Sequence, residues 1–400
     1  GKGNGAMTTI SRALIFERSL GEEDERNVYE LSFHNATLCS MLGLSGCVRL
    51  RLLDLSFNQI RTIEGIDTLV ELRELRLYGN ALQHVGGLAC LRSLKVLLLQ
   101  NNALEPPVLD MGLAQLAQLA TLRVDGNEQL GAEGVAGLHL ARLPQLTQLH
   151  ASGVGLQATQ PLREAAALEH LELERNGLTE LGGLGGMRRL QEAQLGWNAL
   201  TDSTLPALRA LPTLAILRLE GNRLQRLAGL PTLPKLQELH LAHNHIDALD
   251  GLAAAEPESP PSAAAAKRPP LTSAQAPPDS EAKADAKKTG GARSAHSAHS
   301  GTRGGARGGR SASAFPALEL LDLSGNRLAS AESLEPLLAR RQLPALAELT
   351  LHSNPACRDR AGAAAVLAAL RCALPDELLL DEQPLGELAE RAARKGRLGT

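Results

Sequence analysis

Four hundred residues could hold two or three ordinary domains, but aromatic residues make up only 2% of the chain, too few rings to fill globular cores of that size. The formal net charge of -3 sets up no whole-molecule field that would draw the chain to nucleic acid or to a membrane. Five scattered cysteines (Cys39, Cys47, Cys90, Cys357, Cys372) form no CxxC pair and no disulfide framework, so reduced thiols in the cytosol or nucleus are expected.

In chain order, the first twenty residues lack the apolar core of a signal peptide. Met7 is a candidate start, a point the sequence leaves open. Residues 8–27 place Ile10, Leu14, Ile15 and Leu20 among charges, which predicts an amphipathic helical cap. From Val28 onward one frame takes over. Leu50, Leu53, Leu55, Asn58 and Ile60 spell LxxLxLxxNxL, and the pattern returns 22 residues later from Leu72 and again from Leu94. Further copies start at Leu119, Leu146, Leu168, Leu190, Leu214, Leu236, Leu318 and Leu346, and a degenerate first copy starts at Val28. Asparagine recurs at the ninth position except at Ala36 and Val154. About twelve coils are predicted, each burying one layer of leucine against its neighbours.

Within each coil, LxL alternates an inward leucine with an outward side chain, which predicts a short strand. The asparagine is suited to bond backbone groups where the chain leaves the strand. Return segments carry apolar residues at every third position, as in Ile60, Ile63, Ile66 and Leu69, the spacing of a 3₁₀ turn with one buried edge. Longer coils, such as 119–146 and 190–214, leave room for a full α-helix, for example over 134–143.

These residues resemble the intracellular leucine-rich repeats: the 22-residue coils the SDS22-like class, the longer ones the ribonuclease-inhibitor type. The resemblance implies a right-handed α/β solenoid with parallel strands on its concave side and 3₁₀ or α returns outside. Repeats are expected over 28–252 and again over 315–354. Between them, 253–314 is rich in Ala, Pro, Ser and Gly and is predicted to be a disordered insertion in one return. The Asn354-Pro355, Leu374-Pro375 and Leu379-Leu380-Asp381 runs resemble the family's C-terminal cap (355–383), though without its Tyr-Arg pair. A charged helical tail is predicted over 384–400. The alanine-rich stretch 361–374 is too short to span a membrane and contains Arg371.

No GxxxxGK[ST], HExxH, GxSxG or kinase signature is present, so the chain is read as a non-enzyme without cofactor or metal. Partner binding in this family uses the concave wall. Candidate contact residues are Arg76, Tyr78 and Arg123 on early coils, and Glu172, Glu174, Glu192, Trp197, Arg218, Glu220, Glu238 and His240 on later ones. Arg51, Arg73 and Lys95 add to a basic early half, so the later, acidic half would face a basic partner surface. Trp197 and Tyr78 fall at the wall's edge as candidate anchors, or as packing over Arg175 or His243. His243 and His245 straddle a buried asparagine and so point apart, which disfavours metal ligation. Two RGG triplets at Arg303 and Arg307 lack interleaved aromatics and read as a flexible basic spacer rather than an RNA-binding segment. The function expected is a monomeric protein-interaction scaffold or regulatory subunit, with a phosphatase catalytic subunit as the partner the SDS22-like resemblance implies. The alternatives are a component of cilia or axonemes and a ribonucleoprotein subunit; the compartment expected is cytoplasmic, with nuclear or ciliary placement open.

Overall fold

A computed structural model describes residues 9–19, 21–106, 113–252, 313–338 and 343–397. Every copy of the leucine frame yields one three-residue strand: β1 (Glu30–Ser32), β2 (Leu52–Asp54), β3 (Glu74–Arg76), β4 (Val96–Leu98), β5 (Thr121–Arg123) and β6 (Gln148–His150). The series continues with β7 (His170–Glu172), β8 (Glu192–Gln194), β9 (Ile216–Arg218), β10 (Glu238–His240), β11 (Leu320–Asp322) and β12 (Glu348–Thr350). All twelve pair in parallel with their sequence neighbours, and the frame keeps register, Leu53 opposite Leu75 and Leu75 opposite Leu97. The middle residue of each strand is buried, because successive side chains point to opposite faces of the sheet. Each buried leucine contributes about 1.5–3 kcal/mol, and the column of them is one continuous core.

The sheet does not stop at β12. Leu379 and Leu380, read in the sequence as part of the cap, form β13 (Leu379–Leu380) parallel to β12. An antiparallel β14 (Gln383–Pro384) then closes the edge. The Asp381 carboxylate accepts from the Leu351 and His352 amides, so the last full coil's free donors are satisfied.

The long returns differ from the full α-helix expected of them. The segment foreseen at 134–143 is α2 (Gly131–Ala136) followed by a 3₁₀ turn at Leu140–Arg142. His139, at φ 49°, lies between them in the left-handed region and breaks the helix. Asp202–Ala210 is 3₁₀ for nine residues with Pro206 inside it. The return after β11 combines 3₁₀ Ala331–Leu334 with the short α3 (Glu335–Leu338).

At the first end, α1 (Arg12–Arg18) is capped by the Ser11 hydroxyl, which accepts from the Leu14 amide. Ile10 and Ile15 are buried there. At the other, α4 (Arg360–Ala373) begins on an Asp359 cap and buries Val366 and Leu370. It packs against α5 (Leu385–Arg397), whose Leu385 is buried. No described helix is long and apolar enough to cross a membrane.

Coils on either side of the insertion are continuous. Leu239 pairs with Leu321, and the Ile246 amide donates to Asn326 Oδ1 across 80 residues of sequence. Ala314, placed in the insertion by composition, is buried, and its carbonyl accepts from the Leu233 amide. The expectation of disorder for 253–312, and the RGG residues Arg303 and Arg307 within it, lie outside the described residues.

Candidate functional site

The wall is built by what happens at the end of each strand. Asn80 shows the arrangement: its Nδ2 donates to Leu77 O in its own coil and Leu55 O in the preceding one, while its Oδ1 accepts from the Ile60 amide. The same three bonds recur at Asn102, Asn127, Asn198, Asn222, Asn244, Asn326 and Asn354. Both exceptions have reasons. Ala36 lies in the first coil, with no coil before it to tie down. Val154 follows a coil whose return is α2, where the Leu130 amide turns back to Asn127 O and the Gly131 amide reaches Val154 O.

To bring the asparagine inward, the residue before it turns left-handed in all twelve coils, with φ between 53° (Arg175) and 67° (Gly79 and Gly221). Glycine fills this place five times, at Gly79, Gly126, Gly153, Gly221 and Gly325. Elsewhere side chains from Ser353 and Asn101 up to Phe57 and Trp197 accept a conformation that disfavours a Cβ. Phe57 (51% exposed) and Trp197 (49% exposed) are among the few large apolar side chains left in solvent. Each leans over the glycine of the next coil: an added Cβ would come within 2.8 Å of the Phe57 ring at Gly79 and 2.6 Å of the Trp197 ring at Gly221.

The candidate residues fall into rows along this wall. Tyr78 meets Phe57 edge-on, and Phe57 meets His34 likewise, with centroids 5.3 Å apart in both cases. Trp197 stacks on His243 at 6.0 Å and 30°, so one of the two packing partners foreseen is the one used, while half of the ring stays exposed. Phe57 was not singled out from sequence; an aromatic residue directly before the recurring asparagine was the available signal. Arg76 is engaged by Glu74 at 2.7 Å and by Asp54 at 3.6 Å, and Arg123 by Asp125 at 3.0 Å. Arg51 lies 5.1 Å from the Tyr29 ring centroid. The basic early half is therefore largely paired within itself.

The acidic half divides in two. Glu172 Oε2 lies 2.7 Å from His150 Nδ1, a close ion-pair contact outside hydrogen-bond geometry, and the imidazole, against the opposing effect of burial, holds the carboxyl below its usual range. Glu192 is held by His170 at 3.2 Å and by Gln194 at 2.8 Å. Glu238 sits 3.2 Å from His240 and 3.9 Å from Arg218. Glu174 and Glu220 have no side-chain partner among the described residues. They flank Gly196, across which Glu220 leans, since a Cβ there would lie 3.0 Å from its Cδ. Glu220 Oε2 is buried without a hydrogen-bond partner, as is Arg218 Nε. Burial, then the charges of Glu220 and Glu172, push the Glu174 carboxyl above its usual range. Among the described residues, no three His, Cys, Asp or Glu side chains converge as metal ligands would.

A single parallel sheet with one leucine layer and one asparagine rung per coil defines a repeat solenoid with an open, polar strand wall. Its fold is that of the leucine-rich-repeat solenoid. The family model for "Leucine Rich repeats (2 copies)" matches residues 212–254. An internalin from Listeria monocytogenes is similar in structure at 20% identity and a TM-score of 0.52, over 86% of this chain and 87% of that one. A leucine-rich-repeat protein from Leptospira interrogans is similar at 20% identity and a TM-score of 0.59, over 89% and 72%. A chain from the octameric complex of Latrophilin 3, Unc5D and the leucine-rich-repeat protein FLRT2 is similar at 18% identity and a TM-score of 0.57, over 88% and 89%. No curated protein matches the sequence.

Proposed function

We propose that the chain is a non-catalytic scaffold or regulatory subunit that holds a partner protein against its strand wall. The observation that carries this reading is the division of labour within each coil. Inward positions repeat leucine and asparagine, while the row one place after the buried residue reads Arg123, His150, Glu172, Gln194, Arg218, His240 on successive strands. Side chains that differ from strand to strand at about 4.8 Å spacing offer a protein surface many separate contacts. A wall this open does not enclose a small molecule as a substrate pocket does.

The SDS22-like resemblance of the 22-residue coils supports a phosphatase catalytic subunit as the partner, with the chain acting as a cytoplasmic monomer. Binding of purified protein phosphatase 1 catalytic subunit tests this directly. The expected result is a complex lost on Glu172→Lys combined with Glu220→Lys. Absence of any complex would remove the phosphatase reading.

A further inference from the structure

We propose that the wall from β7 to β9 receives an arginine side chain of the partner, its guanidinium set between the Glu174 and Glu220 carboxylates above Gly196 and its flat face against Trp197. The inference rests on the partner-wall reading and names the chemistry the partner presents at this point.

Three observations converge here. Glu172, Glu192 and Glu238 are already engaged by histidines, whereas Glu174 and Glu220 have no side-chain partner among the described residues, and one Glu220 oxygen is buried without a hydrogen bond. Gly196 removes the side chain that would stand between the two carboxylates, and Glu220 bends into the space. Two like charges brought together in partial burial favour any cation that can sit between them. Burial and its acidic neighbours do raise the Glu174 carboxyl above its usual range.

The third observation selects among cations. Trp197 follows Gly196 directly, its amide donates to Glu220 O at 2.6 Å, and its half-exposed ring backs onto Gly221, the residue after Glu220, with His243 stacked on it at 6.0 Å. A planar guanidinium can fork its donors to carboxylates and lie flat on an aromatic face; a lysine ammonium supplies only the charge. The nearest cations of the chain do not fill the place. Arg218 reaches away to Glu238 at 3.9 Å, and Arg175 and Arg218 lower the Glu174 carboxyl less than burial and the neighbouring glutamates raise it.

Trp197 is the single tryptophan of the chain, so its fluorescence reports on the site without a label. The full chain is titrated with an end-blocked peptide of alternating glycine and arginine, and with the same peptide carrying citrulline or lysine. The expected result is a saturable change in tryptophan emission with the arginine peptide, weaker binding of the lysine form and none of the citrulline form. Glu174→Gln with Glu220→Gln should weaken binding at least tenfold, while Glu332→Gln, at an exposed position on a return, leaves it within twofold. Trp197→Gly, followed by calorimetry, should also weaken binding with the thermal unfolding cooperative as before. No saturable change, or equal affinity for the doubly substituted chain with its unfolding transition intact, would overturn the proposal. A natural partner that tolerates Glu174→Gln with Glu220→Gln but is lost on Arg123→Glu with His150→Glu would also overturn it while leaving the partner wall standing; indifference to both pairs would contradict the wall as well.

Discussion

Asparagine, in ten of the twelve coils, and the residue before it do different work. The first supplies three hydrogen bonds, one within its own coil and two to the coil preceding it, and its repetition made it readable from sequence. Asn222→Ala removes the donor to Leu195 O and Leu219 O and the acceptor for the Leu200 amide, all buried. Urea unfolding should show a loss of about 2–4 kcal/mol, the scale of buried groups left unpaired. The second residue was not readable, because Gly, Asn, Arg, Trp, Phe, His and Ser all occupy the same left-handed conformation and share no side-chain chemistry. Pairing within the wall was equally hidden: whether Glu172 or Glu174 meets a histidine depends on side chains some 22 residues apart in sequence, as His150 is from Glu172. These two neighbours should respond oppositely to pH. Glu172 is lowered from 4.5 in the folded chain, so its stabilisation is present above that value and is lost as pH falls through the folded pKa. Glu174 is raised from 4.5, so its folded form holds the proton more tightly and stability falls as pH rises through the folded pKa. Thermal melts across acidic to neutral pH should therefore show Glu174→Gln stabilising the chain at neutral pH and little changed at the acid end, with Glu172→Gln destabilising it at neutral pH.

Strands and returns differ in how far the sequence reaches. A strand needs only its alternating LxL, and all twelve copies deliver one. A return must close a coil of given length against the coil before it, and that closure decides between 3₁₀ and α geometry. The 190–214 coil, with room for an α-helix, stays 3₁₀ around Pro206. Close approach is the controlling feature of the Gly182–Gly186 turn. A Cβ at Gly183 would lie 1.9 Å from Thr159 O in the preceding coil, while one at Gly182 meets nothing within 4 Å. Gly183→Ala should destabilise by at least about 2 kcal/mol, at the level of overpacking in a tight interior. Gly182→Ala should stay within about 0.5 kcal/mol. Equal effects of the two substitutions in denaturant titrations would show that coil spacing does not set the return.

Across the whole molecule, the late coils rejoin the early ones in register, so the 253–312 segment interrupts the chain without interrupting the sheet. Replacing it with a short Gly/Ser linker should leave a single cooperative transition with Tm shifted by only a few degrees, since loop-closure entropy changes slowly with length. Loss of the 313–338 coil's protection from hydrogen exchange in that variant would contradict one continuous solenoid. The solenoid was legible in the leucine frame; the partner was not, because partner choice resides in the outward residues that the frame leaves free. The most direct test of the wall is affinity purification with mass spectrometry on three forms of the chain. These are the unaltered protein, a wall variant (Arg123→Glu, His150→Glu, Glu220→Lys) and a return-side variant bearing Arg188→Glu and Arg209→Glu at exposed positions. The expected result is at least one protein captured by the unaltered chain and the return-side variant and absent from the wall variant. The same proteins captured by all three forms, or lost only from the return-side variant, would contradict binding at the strand wall.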